Sequence, residues 1–134
     1  MAAINISTEQ FFKTLYSDFN GQQHLEIRKL PGGSQVWCRS VQEAVTASND
    51  PSQNIYFGVA LRDGKQGDEN HATLIPALWC DVDVKDFDSW EHMLETIRKF
   101  EFRPNIGVST GNGMHLYWTL REPLEVTPEN RAQI

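Results

Sequence analysis

The chain lacks most of what would tie it to a membrane, a disulfide framework or a large nucleic-acid surface. Only two of its 134 residues are cysteines, Cys38 and Cys80, far apart and in no C-x-x-C pattern. Both read as small buried hydrophobes in a reducing compartment, and His, Cys and Glu are not spaced for zinc. No stretch approaches the roughly 18 consecutive apolar residues of a membrane span, and the start MAAINISTEQFF has neither the basic segment nor the apolar run of a secretory leader. The expectation is a cytoplasmic protein with no membrane partner. A cationic surplus is missing too: 12 basic against 18 acidic residues leave a net charge of -6. That argues against wrapping nucleic acid through a broad basic surface, while leaving room for local strand contacts or a cation-bridged phosphate ligand. There is no low-complexity tract and no internal repeat. What remains is ordinary for a globular chain, with 40% hydrophobic and 22% charged residues. At this length one domain buries about two thirds of its unfolded surface.

Helix and strand signals alternate along the chain. Ser7 with Gln10 forms a capping box, and Phe11, Phe12, Leu15, Tyr16 and Phe19 follow at helical spacing, which predicts a helix over Thr8–Phe19. His24–Leu30 and Gln35–Arg39 flank Pro31-Gly32-Gly33 as a hairpin, and Ser40 with Glu43 caps a short helix, Val41–Ala47. Asn54–Arg62 alternates as one strand, and the polar stretch Asp63–Thr73, with His71, reads as a solvated loop. Asp88 with Glu91 caps an amphipathic helix carrying Trp90, Met93, Leu94, Ile97 and Phe100. Asn105–Ser109 and Met114–Leu120 are strands joined by a turn at Asn112-Gly113, and Thr127-Pro128 announces another helix.

These signals predict an α+β fold. An N-terminal αββα module, residues 1–53, precedes a module over 54–134 of RRM-like βαββ(αβ) type that lacks its last helix and strand. Together they make a single partial domain.

The most informative stretch is ALWCDVDVKD, Ala77–Asp86. On a strand, Leu78, Cys80, Val82 and Val84 point one way and Trp79, Asp81, Asp83 and Lys85 the other. Two carboxylates on one face repel, and burying either unpaired is costly, so a cation is their simplest partner. The hard oxygen pair suits Mg²⁺ or Mn²⁺, which retain waters and substrate phosphates in their shell. Salt bridges to Lys85 or Arg62 are the structural alternative. A second constellation is STGNGMH, Ser109–His115. Ser109 and His115 flank a glycine turn and are expected on the polar face together, with Gly111 able to form an anion-binding nest.

An ALWCDVDVK strand followed, after one helix, by STGNGMHLYW resembles motifs I and II of the archaeo-eukaryotic primase superfamily, in the plasmid, phage and CRISPR-associated primase-polymerase version; the preceding IYFGVALR strand also resembles that group. The resemblance implies template-directed nucleotidyl transfer. Asp81 and Asp83 would hold the catalytic Mg²⁺ or Mn²⁺. Ser109, Gly111, Gly113 and His115 would bind the nucleoside triphosphate, with Lys85 and Arg62 as further phosphate contacts. The partners it implies are nucleoside triphosphates and a single-stranded DNA template with its primer, with further domains or a helicase partner beyond Ile134. Nothing matches the family's third acidic motif, so polymerase activity of this chain alone is expected to be impaired. A non-catalytic nucleotide- or nucleic-acid-binding module is the second reading. A replication-initiator endonuclease is the third, although Tyr117 stands where its second histidine would be.

Overall fold

The computed structural model describes residues 6–134. Over these described residues the protein is α+β, with three α-helices and two antiparallel sheets. The chain divides into two compact units, Met1–Pro76 with Glu122–Ile134, and Ala77–Arg121.

In the first unit, α1 (Thr8–Leu15) starts at the expected capping box: Ser7 Oγ accepts from the Gln10 N–H and the Gln10 side chain accepts from the Ser7 N–H. It ends four residues before Phe19. Tyr16 leaves helical geometry (φ -115°, ψ 40°), and its hydroxyl lies 2.9 and 3.0 Å from the carbonyl oxygens of Gly58 and Val59. Strands β1 (Leu25–Leu30), β2 (Ser34–Cys38) and β3 (Asn54–Phe57) form a sheet of order β2-β1-β3. Leu25, Ile27 and Cys38 on one face of it are fully buried. From the helices come Phe12, Leu15 and, on α2 (Val41–Ser48), Ala44. Phe57 meets Phe11, Phe12 and Tyr16 edge-on, at centroid distances of 5.5, 5.5 and 6.4 Å. Each fully buried aliphatic or phenyl side chain contributes about 1.5–3 kcal/mol, so this cluster is the main apolar core of the unit.

The alternation over Asn54–Arg62 does not make one strand. β3 ends at Phe57, and Leu61–Arg62 is a separate strand, β4, in the second sheet. The carbonyls of Gly58 and Val59 face Tyr16 instead of a ladder. The expected loop over Asp63–Thr73 contains a 3-10 turn, Glu69–His71, where His71 Nδ1 lies 2.6 Å from Asp68 Oδ1. Ala72 already belongs to β5 (Ala72–Asp83).

The second sheet has the order β4-β5-β7-β6. Its remaining strands are β6 (Ile106–Ser109) and β7 (Gly113–Glu125), the latter six residues longer than the expected Met114–Leu120. Between β5 and β6 in sequence lies α3 (Trp90–Lys99). Its cap is Ser89, whose hydroxyl accepts from the His92 N–H, and not the expected Asp88. Of the helix's apolar positions Met93 is fully buried, whereas Trp90 is exposed, as is Phe100 just beyond the helix. Thr127 does organise a turn, exchanging hydrogen bonds with Asn130, but only a 3-10 turn, Arg131–Gln133, follows where a helix was expected. Among the described residues no helix is long and apolar enough to cross a membrane.

Candidate functional site

Seven of the eight residues singled out from the sequence lie in the unit Ala77–Arg121; Arg62 belongs to the other. Asp81 and Asp83 occupy alternate positions at the end of β5 and so share a face. β7 follows β5 in the sheet order, and His115 Nε2 lies 3.6 Å from Asp81 Oδ1, with the carboxylate 75% and the imidazole 47% exposed. Tyr117 lies on the same side of β7 as His115. Burial first, and then the negative charge of Asp81, push its phenol above the ordinary tyrosine value. Asp81, His115 and Tyr117 therefore form one continuous patch, open to solvent at the carboxylate and closed beneath the phenol.

Asp83 is held differently. The strand stops there, and Val84–Asp86 forms a 3-10 turn capped by Asp83 itself, whose Oδ1 accepts from the Lys85 N–H at 3.0 Å. Lys85 is thus on the turn and not on the strand face where alternation placed it. Its ammonium lies 3.7 Å from Asp83 Oδ2 and is 75% exposed. The structural alternative of an Asp83–Lys85 pair is present, but it is a loose surface contact of the kind that contributes little.

Neither glycine needs a ligand to account for it. Thr110 N–H donates to the Gly113 carbonyl at 3.0 Å, which makes Gly111 and Asn112 the central residues rather than Asn112 and Gly113. Gly111 has φ +91° and Asn112 has no positive φ, the pattern of a II′ turn. Gly113 serves close approach instead: a Cβ there would lie 1.9 Å from the Val82 carbonyl oxygen. Asn112 in turn accepts from the Val84 N–H at 2.9 Å. The absence of a side chain at 113 lets β7 start against β5, and this is what brings His115 to Asp81.

Ser109 does not join them. The register pairs Val108 with His115 and Ser109 with Met114, and directly opposed residues point to the same side. Any two-residue turn between these strands opposes odd-numbered to even-numbered positions. Ser109 and His115 therefore cannot share a face, and Ile106 and Val108 lie on the side of Tyr117 and His115. Ile106 is buried, whereas Val108 is exposed beside the histidine. The anticipated core face of β5 is also open: Leu78 is 53% exposed, and Cys80 is a free, exposed thiol. Trp79, one pleat from Asp81 on its face, is 54% exposed. Its alternation with Asp81 was the signal that it flanks the site, and a large unburied indole there is free to stack on a planar ligand.

The donors fit Mg²⁺ or Mn²⁺ as far as they go. Two same-face carboxylates offer hard oxygens, and these ions commonly take one or two carboxylates and fill the remaining positions with water and phosphate. No group of three or more His, Cys, Asp or Glu that could hold a metal occurs among the described residues, so a third protein ligand is not part of this patch. The chain matches no protein-family model, no curated protein and no solved structure.

Proposed function

We propose that this chain is the larger part of the catalytic core of a primase-polymerase, acting on nucleoside triphosphates and a single-stranded DNA template. The observation that carries the reading is the 3.6 Å approach of His115 to Asp81, which brings the ALWCDVDVK and STGNGMHLYW segments together on one open face. The strand order supports it as well. β7 lies between β5 and β6 while α3 links those two in sequence, which is the arrangement of the first half of an RRM-like βαββαβ sheet.

In this reading Asp81 and Asp83 hold the divalent ion. When bound, that ion would acidify the attacking 3′-hydroxyl and neutralise charge at the leaving pyrophosphate. His115 binds the triphosphate beside Asp81, and Lys85, extended into solvent from the turn, reaches the same charge. The Gly111 turn supplies backbone N–H groups at the edge, and Trp79 offers a surface for the base. Ser109 faces away and has no part through its side chain. Arg62 belongs to the other unit and is not assigned to this site.

That no group of three or more metal-ligating side chains occurs among the described residues favours one alternative, a module of the same fold that binds nucleotide without catalysing transfer. Both readings predict Mn²⁺-dependent triphosphate binding, lost in Asp81→Asn and His115→Ala and kept in Ser109→Ala, by calorimetric titration. Absence of such binding, or its survival in Asp81→Asn, would sink both. Primer extension separates them: the catalytic reading expects weak or no extension from this chain and restored extension when an acidic strand segment is supplied. Vigorous extension by this chain alone would refute the impairment.

A further inference from the structure

The outward face of the β2-β1-β3 sheet is unlike its inward face, and it is built entirely within the first unit. Opposed residues share a side, so the register places Arg28 in a row with Gln35 and Tyr56, and Glu26 in a row with Trp37. Tyr56 is 53% exposed in mid-strand on β3, and Trp37 is half-buried in the next row on β2, with the Glu26–Arg28 pair of β1 between the two rings. Glu26 is the sole buried charged side chain among the described residues, and its Oε1 accepts from Arg28 Nε (3.0 Å), Arg28 Nη2 (2.7 Å) and Gln35 Nε2 (2.9 Å). The pair is asymmetric toward solvent: 46% of the Arg28 side chain is exposed against 5% of Glu26. Solvent meets the Arg28 guanidinium, while the Glu26 carboxylate lies between it and the Gly67 backbone, where a Cβ would be 2.7 Å from Glu26 Oε2 and 3.1 Å from Arg28 Nη2. Arg62 reaches the Glu26 row at Gly58, where a Cβ would be 2.5 Å from its Nη1, but its Nε is buried and Nη1 donates to the Ala60 carbonyl at 2.8 Å.

We infer that this face binds single-stranded nucleic acid, with bases stacking on Tyr56 and Trp37 and Arg28 contacting phosphate. Aromatic rings on a sheet face, one exposed and one half-buried, flanking a pre-ordered cation form the kind of platform that tracks unpaired strands, because every base has a stackable face and the backbone is anionic. Local display of cationic charge allows this in a chain whose net charge is -6. The inference deepens the primase-polymerase reading by giving its template a surface, and it rests on that reading only for the template's role.

The test is fluorescence anisotropy of the 134-residue chain with fluorescein-labelled oligodeoxythymidine. Tyr56→Ala and Trp37→Ala should each weaken binding about tenfold, whereas Tyr56→Phe, which keeps the ring, should not. The paired change Glu26→Gln with Arg28→Gln removes the cation without stranding a buried charge, and should weaken binding and flatten its salt dependence by about one phosphate contact. Tyr56 is exposed, so its variants test the platform without risk to the fold. Unchanged affinity in Tyr56→Ala, equal affinity for duplex of the same length, or no strand binding with self-association through Tyr56 instead would each overturn the inference. Calorimetric triphosphate titration, run in parallel, reads the Asp81–His115 site independently. Failure of one with success of the other identifies which proposal is wrong.

Discussion

Ile27 and Leu78 carry the same sequence signature and meet opposite fates. Each is a mid-strand aliphatic in an alternating segment; Ile27 is fully buried, whereas Leu78 is 53% exposed. In the first unit two capped helices and an aromatic set close over the inward face of the sheet. In the second, α3 buries Met93, while Leu78, Trp79, Trp90, Phe100 and Phe102 all remain exposed. Alternation tells which side chains share a face, but not whether anything covers that face. The first unit is organised as a stable scaffold, and the second keeps open the surface that carries Asp81 and His115.

The most severe way to break the comparison is to remove its closed side. Ile27→Ala leaves a cavity in a fully packed environment and should cost about 2–5 kcal/mol in urea unfolding. A loss below about 1 kcal/mol would mean that the first unit is no better packed than the second.

Gly113→Ala attacks the point that aligns the second unit. Its Cβ would lie 1.9 Å from the Val82 carbonyl oxygen and 2.9 Å from the Asp83 Cα, backbone atoms that yield poorly. A cost of about 1–3 kcal/mol is expected, along with loss of triphosphate binding equal to that of His115→Ala, because the strand carrying His115 is displaced. Full binding by Gly113→Ala would show that the β5–β7 approach does not position the histidine.

The two cysteines sharpen the contrast chemically. Burial, and then the charge of Glu43, push the Cys38 thiol up to about 11. An unfolded thiol ionises near 9, so the folded state holds its proton more tightly, and the stability this contributes is intact below about pH 9 and lost as pH rises toward about 11. Between pH 8 and pH 10 the wild type should lose about 1 kcal/mol more than Cys38→Ala. Cys80, exposed on β5, should react with a thiol reagent in the native protein while Cys38 reacts only on unfolding. Equal reactivity would erase the distinction between the two faces.

Local chemistry was the legible part of the fold. The Ser7–Gln10 box and the Ser40 cap were readable because the partners of each cap lie three residues apart. The α+β class, the hairpin and the Asp81–Asp83 face followed from period and turn signals. What failed depended on distant partners. Phe19 fell outside α1 because Tyr16 is drawn to Gly58 and Val59, some forty residues away. Arg62 left the strand of Tyr56 because the chain changes sheets after Gly58. Ser109 was misplaced for a different reason: pairing parity across a two-residue turn was available in the sequence, and it puts the serine and His115 on opposite faces. Lys85 was misread because an aspartate at a strand end caps the turn that follows it.

The smallest effect completes the contrast with Ile27. Leu78 already spends half its surface in water, so Leu78→Ser removes only about half of a leucine's burial and should cost no more than about 1 kcal/mol. The same substitution lowers the exposed apolar area of β5 without touching the Asp81 face, so triphosphate binding should be unchanged. A loss comparable to that of Ile27→Ala would mean that Leu78 is covered in solution. In that case the openness of the second unit would be a property of the isolated chain, and its chemistry would depend on whatever supplies the cover.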